Sequence, residues 1–86
     1  MNTEEIIEGI KKEIADILKI DTDMIDDDEN FLKIGISSVQ ALKIINKMRK
    51  KLGVDINPAA MFEYKTIAQF AGYLNECIEE EAELEE

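Results

Sequence analysis

Ile6, Ile10, Ile14 and Ile17 recur at steps of four, four and three, and no other feature limits the fold as strongly. At about 100° per residue these positions line one face of a helix. Ile7 and Leu18 widen that face, while Glu8, Lys11, Lys12 and Asp16 lie mostly on the other side. Asn2 or Thr3 can cap the start, and Glu4 and Glu5 suit the positive first turn. The spacing predicts a helix over 3–19. Gly9 costs about 1 kcal/mol against alanine in a helix interior, which points to close packing there. Such a face must be buried against other elements, so the remaining chain has to supply them.

Two further helices do so. Before the first of them, Gly35 permits a tight turn, Ser37 is a good N-cap, and Ser38 is the first helical residue. Ala41, Ile45, Met48 and Leu52 then share one face and Lys43, Lys47, Lys50 and Lys51 the opposite one. Val39 projects beside the basic face, with Leu42 on its flank. Gly53 ends the helix. Thr66 and Gln69 form a capping box before the next, in which Ile67, Phe70, Ala71, Leu74 and Ile78 keep helical spacing over 67–79. Cys77 is read as a small apolar residue at its edge. Between these two helices Val54, Asp55 and Ile56 form an extended connector. Asn57-Pro58 reads as cap plus first helical position of a short helix over 58–63, with Met61 and Phe62 turned inward.

The predicted fold is an all-α antiparallel four-helix bundle, three main helices and one short one, with a long loop over 20–36 between the first two. Met24, Ile25, Phe31, Leu32 and Ile34 are expected to pin that loop to the core. Residues 1–80 form one domain. Residues 81–86 are expected to be a frayed acidic tail or linker, or a weak extension of the last helix.

The loop carries Asp21, Asp23, Asp26, Asp27, Asp28 and Glu29. Counted from Asp21 as an EF-hand, the fifth position is Ile25, the sixth is Asp26 where glycine is needed, and the twelfth is Leu32. The loop is read as solvated, with no metal. The chain has no histidine, which removes serine–histidine and cysteine–histidine catalysis. Cys77 is the only cysteine, so there is no zinc or iron–sulfur constellation and no internal disulfide. An enzyme is not expected. The acidic N-terminus has no apolar signal core, and no apolar run reaches membrane-spanning length. A cytoplasmic protein with no membrane partner is expected. The net charge of −10 argues against nucleic acid. Yet residues 37–52 hold Lys43, Lys47, Arg49, Lys50 and Lys51 and no acid, a basic helix on an acidic body.

Ser37 and Ser38 are the only serines, and one suffices as a cap. The other is displayed where a helix start leaves N–H groups unpaired and favours an anion. These residues resemble the acyl and peptidyl carrier proteins. The run Phe31 to Val39 is similar to that family's signature: an aromatic, a glycine turn, then Asp-Ser and an aliphatic residue. Leu52 to Ile56 resembles its segment after the second helix, and Met61 to Ile67 its Leu-Phe-Glu-x-Pro-Thr-Ile segment. The likeness covers 6–74.

The resemblance implies that Ser38 receives 4′-phosphopantetheine from coenzyme A, through a phosphopantetheinyl transferase. The arm's thiol would hold acyl intermediates for a ketosynthase, an acyltransferase and other synthase enzymes. A monomer is expected. The family's aspartate is Ser37 here, which keeps the cap and drops a negative charge; its proline is Lys65, beside a Thr66 that still caps. The basic second helix resembles carriers of modular polyketide synthases ahead of peptidyl carriers. The expected partner surface is Ser38, Val39, Leu42, Lys43 and Lys47, with Met61 from the short helix. Two other readings stay open: an unmodified helical interaction module, and, more weakly, a helix-turn-helix DNA binder opposed by the acidic body.

Overall fold

The computed structural model describes residues 2–84. Three long helices, α1 (Thr3–Leu18), α3 (Ser38–Leu52) and α5 (Ile67–Leu84), form the bundle. Two single turns accompany them, α2 (Phe31–Ile34) and α4 (Ala60–Glu63), with a 3₁₀ turn at Thr22–Met24. The all-α reading holds. Among the described residues the only β pairing is one bridge, Asn30 with Thr66.

Asn2 resolves the choice of cap for α1, its Oδ1 accepting the Glu5 N–H at 2.8 Å. Ile6, Ile10 and Ile14 are fully buried, as their spacing predicts. They meet Ile44, Ile45 and Met48 of α3 and Ile67, Phe70, Ala71 and Leu74 of α5. Each fully buried side chain of this size contributes about 1.5–3 kcal/mol by leaving water. Gly9 is less constrained than expected. A methyl there would lie 3.7 Å from the Met48 methyl, an ordinary contact.

The long loop is anchored differently from the expectation. Ile25 and Phe31 are buried as predicted, and Ile36 with them, but Met24 and Leu32 are exposed. The ring of Phe31 packs edge-on against Phe70, centroids 5.8 Å apart. Backbone bonds supply the rest: Phe31 N–H to Lys65 O, Ile67 N–H to Glu29 O and Ala68 N–H to Asp27 O. These tie the loop to the entry of α5 and satisfy groups that would otherwise be lost in a buried connector. Lys11 of α1 pairs with Asp27 from below, and that carboxylate raises the ammonium above its ordinary pKa.

Two boundaries moved. The short fourth element is one turn at Ala60–Glu63, preceded by a turn in which the Ala60 N–H reaches Asn57 O. Met61 is inward as expected, but Phe62 is 50% exposed, because a single turn can direct only one of two adjacent residues to the core. At the other end α5 continues beyond 79 to Leu84, so part of the predicted tail prolongs the helix. Residues 85 and 86 lie outside the described residues.

Candidate functional site

The site is built at the junction of α2 and α3. Asn30 caps α2, its Oδ1 accepting the N–H groups of Leu32 at 3.0 Å and Lys33 at 3.3 Å. Gly35 ends that turn at φ 110°, a conformation closed to residues with a Cβ. The Ile36 N–H then returns to Phe31 O at 3.0 Å, and the Ile36 side chain drops into the core. With Phe31 and Ile36 both anchored, the backbone at 37 and 38 has a fixed direction.

Ser37 has extended dihedrals and caps α3. Its Oγ accepts the Gln40 N–H at 3.2 Å, and Gln40 Oε1 accepts the Ser37 N–H at 2.9 Å. This is a complete capping box. Ser38 is the first helical residue and is exposed. Among the described residues no hydrogen bond engages its hydroxyl. The N–H groups of Ser38 and Val39 have no carbonyl one turn back to bond, so they carry the positive end of the helix dipole. An anion bound through Ser38 Oγ would gain about 0.3–1 kcal/mol there.

Val39 is 65% exposed and Leu42 47%, and Lys43 is exposed as well. These positions follow Ser38 on the solvent side of α3. Lys47, one turn beyond Lys43 and also exposed, turns towards α1. It meets Glu13 of α1 at 2.9 Å, which holds it at the seam between the two helices. The Glu13 carboxylate raises the Lys47 ammonium above its ordinary pKa. Met61 does not join this surface. It is 5% exposed and belongs to the core, so it offers no contact area to a partner. Exposed Leu32, on the turn before Ser38, was not anticipated. Gln40 was also missed, although Ser37 to Gln40 spells the same cap pattern that marked Thr66 and Gln69.

A family model described as "Phosphopantetheine attachment site" matches residues 8–74. The chain belongs to this family of phosphopantetheine-binding carrier domains. The group it carries is 4′-phosphopantetheine. Such a domain presents acyl or peptidyl thioesters to partner synthase enzymes and performs no catalysis of its own. Polyketide synthase PksN of Bacillus subtilis is 36% identical over 73 residues, 85% of this chain. Gramicidin S synthase 2 of Brevibacillus brevis is 34% identical over 73 residues, again 85% of this chain. The chain spans 1% and 2% of those proteins. A free-standing peptidyl carrier protein from Acinetobacter baumannii shares the fold, with a TM-score of 0.81 at 23% identity over 87% of this chain and 94% of that one.

The residues present fit the group. Ser38 is exposed at a helix start, where a hydroxyl could bear a phosphate-linked group. No helix of the described residues is long and apolar enough to cross a membrane, and among them no cluster of His, Cys, Asp or Glu could hold a metal ion.

Proposed function

We propose that Ser38 is the attachment residue and that the carrier serves a polyketide synthase, holding acyl intermediates. One observation carries the assignment: Ser37 and Gln40 complete the cap between them, leaving the Ser38 hydroxyl exposed and unbonded. In the transfer, Ser38 Oγ bonds the phosphorus that bears pantetheine. The pyrophosphate bond of coenzyme A breaks, the adenine nucleotide departs with that electron pair, and the serine proton passes to a base of the transferase. A phosphodiester on Ser38 Oγ would be favoured by the positive helix start to which the Ser38 and Val39 N–H groups belong. The arm would supply a thiol on which Ser38 holds acyl groups, from an acyltransferase, for a ketosynthase. Val39, Leu42 and Lys43 form the face those enzymes meet first, with Leu32 beside it.

The likeness to PksN supports an acyl cargo, and the basic α3 agrees with that reading. The nearly equal likeness to gramicidin S synthase 2 supports a peptidyl cargo as the second reading.

The test is intact mass after incubation with coenzyme A, magnesium and a broad-specificity phosphopantetheinyl transferase. A single pantetheine adduct is expected on the parent chain and on Ser37→Ala, and none on Ser38→Ala. An adduct that survives Ser38→Ala would overturn the assignment. Loading the modified chain with malonyl-coenzyme A and an acyltransferase, or with an amino acid and an adenylating enzyme, then separates the two cargo readings.

A further inference from the structure

Ser38 stands inside a stretch unlike the rest of the chain. Residues 30–54 contain no acid, although the chain has 20, and they hold Lys33, Lys43, Lys47, Arg49, Lys50 and Lys51. The stretch carries +6, so a net charge of −10 leaves −16 on the remainder. It supplies both α2 and α3, the two elements that meet at Ser38.

The same stretch holds three of the five large apolar side chains exposed among the described residues, Leu32, Val39 and Leu42. Val39 and Leu42 are three apart on α3 and so are neighbours on its surface. Leu32 is on the single turn that precedes Ser38. An isolated exposed apolar residue is ordinary, but a group of them marks a contact site. The core makes no claim on these three, since Phe31 serves it from α2 and Ala41, Ile44, Ile45 and Met48 from α3. Lys33 follows Leu32 and Lys43 follows Leu42, both exposed and neither in an ion pair among the described residues. At 100° per residue Lys43 lies about 40° around α3 from Val39, and Lys50 about 20° around and 16 Å further along. The cations thus border the apolar group and continue its face down the helix.

We infer that the enzymes this carrier meets receive it in a shallow apolar socket rimmed by carboxylates, a proposal that rests on the reading of Ser38 as the attachment residue. Leu32, Val39 and Leu42 enter the socket, and Lys33 and Lys43 meet the rim. An apolar centre within a polar rim is the usual anatomy of a protein interface. Charge complementarity selects the sign of that rim. A basic partner is drawn to the −16 body, which turns Ser38 away from it. An acidic-rimmed partner is repelled by the body and steered to α2 and α3, the orientation that brings Ser38 forward. A second copy of the chain brings a further −10 and is repelled as a whole. Nucleic acid makes no use of three apolar side chains, and a bilayer surface needs a broad apolar helix face, which α3 spends on the core.

The experiment titrates the ¹⁵N-labelled chain with two short acetylated, amidated amphipathic peptides. They share a leucine face and differ only in the residues flanking it, glutamate in one and lysine in the other. Parent and Ser38→Ala are both titrated, and intact mass after incubation with coenzyme A and the transferase is read separately. The glutamate peptide should shift the amides of Leu32, Lys33, Val39, Leu42 and Lys43, and bind at least about tenfold more weakly at about 0.5 M salt than at about 0.05 M. Lys33→Glu with Lys43→Glu should weaken it at least about tenfold, and so should Val39→Ser with Leu42→Ser, all four positions being exposed. The lysine peptide should leave the Val39 and Leu42 amides unmoved. Equal binding of the two peptides at those amides, or indifference to either double variant, would overturn the proposal. So would the same shifts produced by anionic phospholipid vesicles, by an oligonucleotide, or by concentrating the chain alone. A pantetheine adduct without peptide binding removes the socket and keeps the attachment reading; peptide binding without an adduct on Ser38 does the reverse.

Discussion

Replacing Ser37 by alanine separates what the two adjacent serines do. The substitution deletes the Oγ that accepts the Gln40 N–H at 3.2 Å. Losing a serine N-cap costs about 0.5–2 kcal/mol, typically ~1. The reciprocal bond survives, because it uses the Ser37 backbone N–H and Gln40 Oε1, and it holds the loss near the middle of that range. Unfolding entropy near 2.1 cal/mol/K per residue makes 1 kcal/mol worth about 5 °C for a chain of this size. Ser37→Ala should therefore lower Tm by about 5 °C, read by circular dichroism. Ser38→Ala removes no hydrogen bond and puts a better helix former at the first helical position, so its change should stay within about 0.5 kcal/mol. Ser37→Asp keeps a cap oxygen and adds a charge that the helix start favours, so its Tm should match or exceed the parent. Mass spectrometry runs the other way: Ser37→Ala still accepts the pantetheine group and Ser38→Ala does not. A Tm that falls in Ser38→Ala and holds in Ser37→Ala would show that the roles are reversed, and the argument for Ser38 would fail with it.

Gly9→Ala and Gly72→Ala should each stabilise the fold by about 1 kcal/mol, since both lie inside helices. The first would gain an ordinary 3.7 Å contact and the second meets nothing within 4 Å. Urea midpoints of the single and double variants check this, and a loss at either site would mean that the helices pack more closely than these distances imply. Tyr73 accepts the Asn57 N–H at 3.1 Å and stacks on Tyr64. Burial pushes its hydroxyl pKa up, with Cys77 adding to the rise. A raised folded pKa means that its contribution to stability is full below about pH 10, the unfolded value, and is lost as pH rises through the folded value. Tyr73→Phe should cost about 0.5–1.5 kcal/mol at neutral pH and flatten the stability profile above pH 10. Parallel profiles for the two proteins would remove Tyr73 as the titrating group.

The periodic parts of the fold were readable because each face repeats with the helix. Ile6, Ile10 and Ile14 lie where their spacing puts them, and Gly35 and Gly53 stand at the two positive-φ glycine positions. The loop was not readable to the same degree. Its attachment to the start of α5 runs through backbone bonds at Asp27, Glu29 and Phe31, and a backbone bond leaves no trace in side-chain type. Met24 and Leu32 are apolar but sit on short turns, where one residue of phase decides between core and solvent. Phe62 beside Met61 fails for the same reason.

The site divides along the same line. The cap, the turn and the exposed serine depend on neighbours within a few residues, so Ser37, Ser38 and Gly35 could be read locally. The ion pairing of one α3 lysine and not its neighbour could not. A helical wheel shows that Lys47 is off the apolar face, but not that α1 covers that flank. Only the packing of α1 against α3 brings Glu13, a residue with no assigned face in the sequence, beneath Lys47. One basic stripe thereby becomes two environments. Lys43 stays in solvent near Ser38, whereas Lys47 is held by a carboxylate that is itself removed from water. Exposed pairs contribute little, and breaking a buried one leaves a charge uncompensated. Charge reversal at Lys43 should thus disturb encounter with partner enzymes alone. The same change at Lys47 also sets two carboxylates against each other at the seam, so a loss of turnover there cannot be read as a docking effect until stability has been measured beside it.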